Sequence, residues 1–131
     1  MGGPTPVDTL TEYVRAFETL DPAAFLPYYN VPCMFITRGG VSEVADAAVA
    51  HTLATDLVAK AHQYGYKRTE FLGPVDCKML SPTVAVLRVR FRRLNSADRL
   101  ILDLGFMYVM HKGDEGWKIA VVTAYEHTPR A

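Results

Sequence analysis

The sequence predicts an α+β fold, an antiparallel sheet with helices on one face, and three observations predict it. Helical hydrophobic spacing is confined to the first half of the chain, the pattern turns to β from Tyr66 onward, and two turn signals divide that second half into long strands. Helices around one strand, followed by a run of strands, argue for α+β rather than alternating α/β.

Thr5-Pro6-Val7-Asp8 reads as a helix start, with Thr5 as N-cap, Pro6 in the first turn and Asp8 at the positive end of the helix dipole. Leu10, Tyr13, Val14 and Phe17 then recur at the spacing of one buried helical stripe. Asp21-Pro22 restarts a short helix with the same cap chemistry, and Pro27 must distort or end it. Val31 to Thr37 is apolar and β-prone, and Gly39-Gly40 breaks it. A third helix is expected from about Val44 to Tyr64, stopping at Gly65 as a left-handed cap. Val49, Leu53, Leu57, Ala61 and Tyr64 share one of its faces. His51 and His62 lie on the other, roughly 16 Å apart along the axis and too distant to share a metal.

Tyr66 to Ser81 reads as a strand interrupted at Gly73-Pro74. Thr83 to Leu94 and Arg99 to His111 flank the turn Asn95-Ser96-Ala97-Asp98. A second turn, Lys112 to Gly116, leads into Trp117 to His127, so two hairpins join three long antiparallel strands.

The 131 residues suit one domain, 1–131, with residues 1–4 expected as a flexible terminus. Lys and Arg total 14 against 14 Asp and Glu. That balance supplies little of the electrostatic pull that non-specific nucleic-acid or anionic-membrane binding requires. The most apolar stretch, Leu100 to Met110, contains Asp103 and is far too short for a membrane span. The N-terminus has no signal-peptide pattern, so a cytoplasmic location is expected. Cys33 and Cys77 lack metal-ligand or redox spacing and read as small hydrophobes in strands. No glycine-rich phosphate loop, nucleophile context or metal-ligand spacing occurs, so no metal and no cofactor are expected.

Tyr13-Val14-Arg15-Ala16-Phe17, Leu20-Asp21-Pro22-Ala23-Ala24-Phe25, Pro32-Cys33-Met34-Phe35-Ile36 and the closing Gly116-Trp117-Lys118-Ile119 carry a resemblance. In this order they resemble the NTF2-like superfamily, whose cystatin-like cone includes ketosteroid isomerases, SnoaL-type polyketide cyclases and limonene epoxide hydrolases. The resemblance implies a curved antiparallel sheet with three helices on its concave face, a cavity between them, and a homodimer formed through the sheet. Tyr13 falls where the ketosteroid isomerases carry an oxyanion-hole tyrosine. Their general-base aspartate would fall near Ile36 or Thr37, neither of which takes a proton from carbon, and their second acidic donor near Met107. The steroid-isomerase site is mostly absent, and the limonene hydrolase pattern has no clear match.

Strand alternation then addresses which polar groups line the cavity. Pairing Leu94 with Arg99 puts Arg90 opposite Asp103, and pairing His111 with Trp117 puts Asp103 opposite Tyr125. Arg90, Asp103 and Tyr125 form a row on one sheet face, with Arg88, Met107, Val121 and Ile119 alongside. The expected pocket is Tyr13, Phe35, Arg90, Asp103, Met107 and Tyr125, and the expected dimer interface is Leu102, Leu104 and Phe106 on the opposite, apolar face. The bland alternative makes the row a cross-strand salt bridge on a solvated or dimer-facing surface. Arg92, Arg93 and Arg99 read as a solvated rim.

Three functions stay open. The first is binding of a small, mostly apolar molecule. The second is a cofactor-free isomerase, cyclase or hydrolase using Asp103 with Tyr13 or Tyr125, and the third a structural dimerisation module.

Overall fold

Residues 3–126 are described by the structure, a computed structural model. Helix α1, Pro6–Phe17, begins at a capping box in which Thr5 and Asp8 each accept the other's backbone N–H. Its stripe of Leu10, Tyr13, Val14 and Phe17 is buried. Asp21 caps α2, Pro22–Phe25, and Pro27 falls in the tighter turn Leu26–Tyr28 that follows. The chain then enters β1, Tyr29–Thr37, and turns back as β2, Gly40–Val44. The sequence reading did not anticipate β2, because its five residues are exposed save Val44 and carry no apolar alternation.

Helix α3 spans Ala47–Gln63 behind an Asp46 cap, and Gly65 at φ 71° accepts the left-handed turn that ends it. Its buried line is Ala50 and Ala54, flanked by the half-buried Leu53, Leu57 and Ala61. Val49 and Tyr64, expected on that line, are exposed, because four-residue spacing drifts round a helix of 3.6 residues per turn.

Five strands complete the sheet: β3 Tyr66–Phe71, β4 Asp76–Ser81, β5 Val84–Asn95, β6 Leu100–Gly113 and β7 Gly116–Glu126. The strand order is β2-β1-β7-β6-β5-β3, with β4 also on β5. Pairing is antiparallel except between β1 and β7, which run parallel. The sheet is curved and unclosed, and Phe17, Phe25, Tyr108, Met110, Trp117 and Ile119 fill the core between it and the helices.

Both hairpins pair two residues away from the expected register. Asn95 Oδ1 accepts from Ala97 and Arg99 N–H, closing a longer turn, and a bulge follows between Arg93 and Leu94. Arg90 consequently lies opposite Gly105, and Asp103 opposite Arg92. The β6–β7 turn is tighter, with Gly113 opposite Gly116, and an irregularity leaves Ala120 without a partner. Gly105 therefore lies opposite Tyr125 and Met107 opposite Thr123. That bulge also separates Ile119, fully buried, from Val121 on the other face. A two-residue shift keeps the set of side chains on each face. The assignment of faces to functions depends on what packs where, and there the structure differs.

Candidate functional site

The helices cover the face carrying Leu87, Phe91, Leu104, Phe106, Tyr108 and Val122. Between that face, α1 and α3 lies a cavity of about 170 Å³. Tyr13 and Phe17 descend from α1, Leu57 from α3, Tyr29, Phe35 and Thr37 from β1, and Arg93, Leu104, Phe106, Tyr108, Val122 and Ala124 from the long strands. A second cavity of the same volume adjoins it, sharing Phe17, Leu57 and Arg93 and adding Lys60, Tyr64, Tyr66, Ile101 and Leu102.

Of the expected pocket residues, Tyr13 and Phe35 line this cavity. Arg90, Asp103, Met107 and Tyr125 do not. They alternate with the inward side chains and occupy the sheet's outer face. The expected interface residues are corrected in the same step: Leu104 and Phe106 line the cavity and Leu102 the adjoining one, so none of the three offers an outward surface. The physical reason is amphipathicity. Both faces of the middle strands carry apolar side chains, and the helices' aromatic stripe takes the more continuous ladder.

The outer row exists, although not where the cavity needs it. Arg90 Nε and Nη2 donate to the two Asp103 oxygens at 2.8 Å each, reaching diagonally across the strands. The Tyr125 ring lies over Gly105, where an added Cβ would come within 2.4 Å of Tyr125 Cε2. That close approach is why glycine stands in the middle of a strand. Asp103 and Tyr13 lie on opposite sides of the sheet, so the catalytic pairing of those two is overturned.

Among the described residues, the polar groups inside the cavity are hydroxyls and one guanidinium. Tyr13 and Tyr29 hydroxyls share a hydrogen bond that ties α1 to β1, and their rings meet edge-on at 5.2 Å. Burial raises the pKa of both, and that of Tyr108 well above its ordinary value, so all three stay neutral phenols. The positive charge of Arg93 opposes the rise at Tyr13 and Tyr108. The Tyr108 hydroxyl has no hydrogen-bond partner among the described residues.

Arg93 is the residue the sequence reading missed. Its guanidinium carbon sits 5.2 Å from the Phe17 ring centre, 5.6 Å from Phe106 and 5.9 Å from Tyr66, within cation–π range of all three. Its Nε is buried without a hydrogen-bond partner. The available signal was parity: Arg93 continues the series Ala85, Leu87, Val89, Phe91, a charge on an otherwise apolar face. Proximity to a turn obscured it.

Among the described residues no Asp, Glu or His lines either cavity, so their arrangement donates hydrogen bonds and positive charge and offers no carboxylate base. Cys33, behind the cavity, is a free thiol pushed up to about 11 by burial, and Cys77 is free as well. No group of three or more metal-ligating side chains converges among the described residues. A larger hollow of about 480 Å³ beside the β6–β7 turn is walled by exposed His111, Asp114 and Glu115 and would leave a ligand largely in water. His51 and His62 are exposed on α3, and His127 lies outside the described residues. No helix among those described is long and apolar enough to cross a membrane.

A curved sheet with a helix-covered cavity defines the chain as an NTF2-like, cystatin-like domain. The chain belongs to the family described as NTF2-like protein (DUF6841), whose model matches residues 7–127. Among solved structures it is similar to a domain of unknown function with a cystatin-like fold from Nostoc punctiforme PCC 73102, at 19% identity and TM-score 0.74, covering 94% of this chain and 75% of that one. An NTF2-like protein of unknown function from Shewanella oneidensis MR-1 matches at 21% identity and TM-score 0.71, over 90% and 93%. A nuclear transport factor 2-like superfamily protein from Salmonella enterica matches at 13% and 0.72, over 95% and 90%. At these identities the likeness is one of fold. No curated protein matches the chain.

Proposed function

We propose that the chain is a small-molecule-binding domain that takes a mostly apolar ligand of about one ring in the cavity under its helices. The observation that carries this is the aromatic lining of a 170 Å³ space with its polar groups gathered at Tyr13, Tyr29, Tyr108 and Arg93. A dry cavity of about 150 Å³ in another protein holds benzene, so the volume suits a single ring. Few, convergent polar groups in an apolar chamber are what a ligand site requires. Titration with toluene, followed by methyl NMR, tests the reading. The methyl signals of Leu57, Leu104 and Val122 shift together and saturably if it holds. Shifts confined to surface methyls, or none, overturn it.

We also propose a homodimer through the outer sheet face. With Leu104 and Phe106 turned inward, the remaining apolar surface is the cross-strand series Val86, Val109, Val121 and Met34. A half-buried sheet normally turns a polar face to water, and this series is an apolar stripe across four strands. A two-fold pairing of identical faces is the commonest arrangement that covers such a surface.

A further inference from the structure

We propose that the ligand of this cavity is an anion, a single aromatic ring bearing a carboxylate or a similar planar oxyanion, held by Arg93 with Tyr108 as second donor. The proposal rests on the cavity being a ligand site and specifies the chemistry of what enters it.

A guanidinium is a charged group, and a charge among apolar groups is costly unless something compensates it. The rings of Phe17, Phe106 and Tyr66 supply part of that compensation. Aromatic faces, however, accept no conventional hydrogen bond, and a guanidinium is a fork of five donors with no acceptor. Its Nε is buried and unpartnered, and the guanidinium forms no ion pair among the described residues. The rings thus fix the position of the fork and leave its Nε donor unanswered. Four other arginines of this chain, Arg15, Arg68, Arg90 and Arg92, each have a carboxylate within salt-bridge distance.

The surroundings favour one sign of charge. Among the described residues neither cavity that Arg93 joins is lined by a carboxylate, and Lys60 lines the second, so the charged side chains on their described walls are cations. The Tyr108 hydroxyl, held neutral by burial, supplies a further unpartnered donor on the same wall. The complement of a donor fork plus a hydroxyl is a pair of acceptor oxygens carrying negative charge. The complement of the remaining lining, Phe17, Phe35, Phe106 and Leu104, is a ring. Benzoate has both parts.

The experiment titrates the full chain with benzoate and with toluene, by the same methyl signals, in wild type, Arg93→Met and Tyr108→Phe. Circular dichroism checks that each variant folds. Wild type should bind benzoate about tenfold or more tighter than toluene. Arg93→Met should remove that preference, and Tyr108→Phe should weaken benzoate about fivefold. Toluene binding without benzoate preference overturns the anion assignment and leaves the cavity reading standing. Equal benzoate affinity in wild type and Arg93→Met does the same and makes Arg93 a structural plug. Absence of binding by both ligands removes both readings. If Arg93→Met fails to fold, the wild-type preference and the Tyr108→Phe variant decide.

Discussion

Replacing Tyr13 and Tyr29 by phenylalanine, singly and together, tests the wall of the cavity through an energetic asymmetry. The two side chains are 7% and 6% exposed, and their shared hydrogen bond joins α1 to the start of β1. Tyr13→Phe leaves the Tyr29 hydroxyl buried without its partner, and Tyr29→Phe does the converse. An orphaned buried hydroxyl costs about 1–3 kcal/mol, whereas replacing both partners by apolar groups of the same shape is nearly neutral. The rings keep their edge-on contact at 5.2 Å and 78° in every variant, so the hydroxyls alone are compared. Each single variant should therefore lose about 1–3 kcal/mol, and the double variant less than either. In urea, with a slope of about 2 kcal/mol per molar, a loss of that size lowers the midpoint by roughly 0.5–1.5 M. A double variant destabilised by the sum of the singles would refute a direct bond between the two hydroxyls.

Asp103→Asn should cost at most about 1 kcal/mol and leave toluene binding unchanged, because its partner Arg90 is half-exposed on the outer face. Weakened binding in that variant would return Asp103 to the cavity. Alkaline stability follows from the three buried phenols, whose folded pKa values lie above the unfolded value near 10. Their contribution is fully present below pH ~10. It is lost as pH rises above that point, because the unfolded chain releases protons that the folded chain retains. Unfolding free energy should fall by up to about 4 kcal/mol per pH unit there, and urea titrations at pH 9, 10 and 11 (roughly spanning the window) measure it. Light scattering at micromolar concentration should give about twice the 14.6 kDa chain mass, and Val109→Arg, with its charge on the outer face, should give monomer. A wild-type monomer would contradict the proposed pairing.

The elements were legible in the sequence because each has a local cause. Thr5, Asp21 and Gly65 end or begin helices by chemistry confined to a few residues, and the stripe from Leu10 to Phe17 declares its buried side. The faces of the sheet were not legible, since their assignment depends on which apolar ladder the helices cover. Leu104, Phe106 and Tyr108 on one side and Met107, Val109 and Val121 on the other are alike in hydrophobicity, and alternation alone does not rank them. The hairpin pairing hid for a related reason: the side chain of Asn95 and the unpaired Ala120 each shift the register without changing composition. Arg93 followed from both. Once its face is known to be the covered one, a single arginine among Ala85, Leu87, Val89 and Phe91 becomes the most conspicuous residue of the strand.

A crystal structure of the chain grown with benzoate tests the central claim most directly. The account predicts a ring among Phe17, Phe35 and Phe106, with its carboxylate within hydrogen-bond distance of Arg93 and the Tyr108 hydroxyl. An empty cavity with the Arg93 guanidinium turned outward, or benzoate bound on the outer face beside Arg90 and Tyr125, would contradict it.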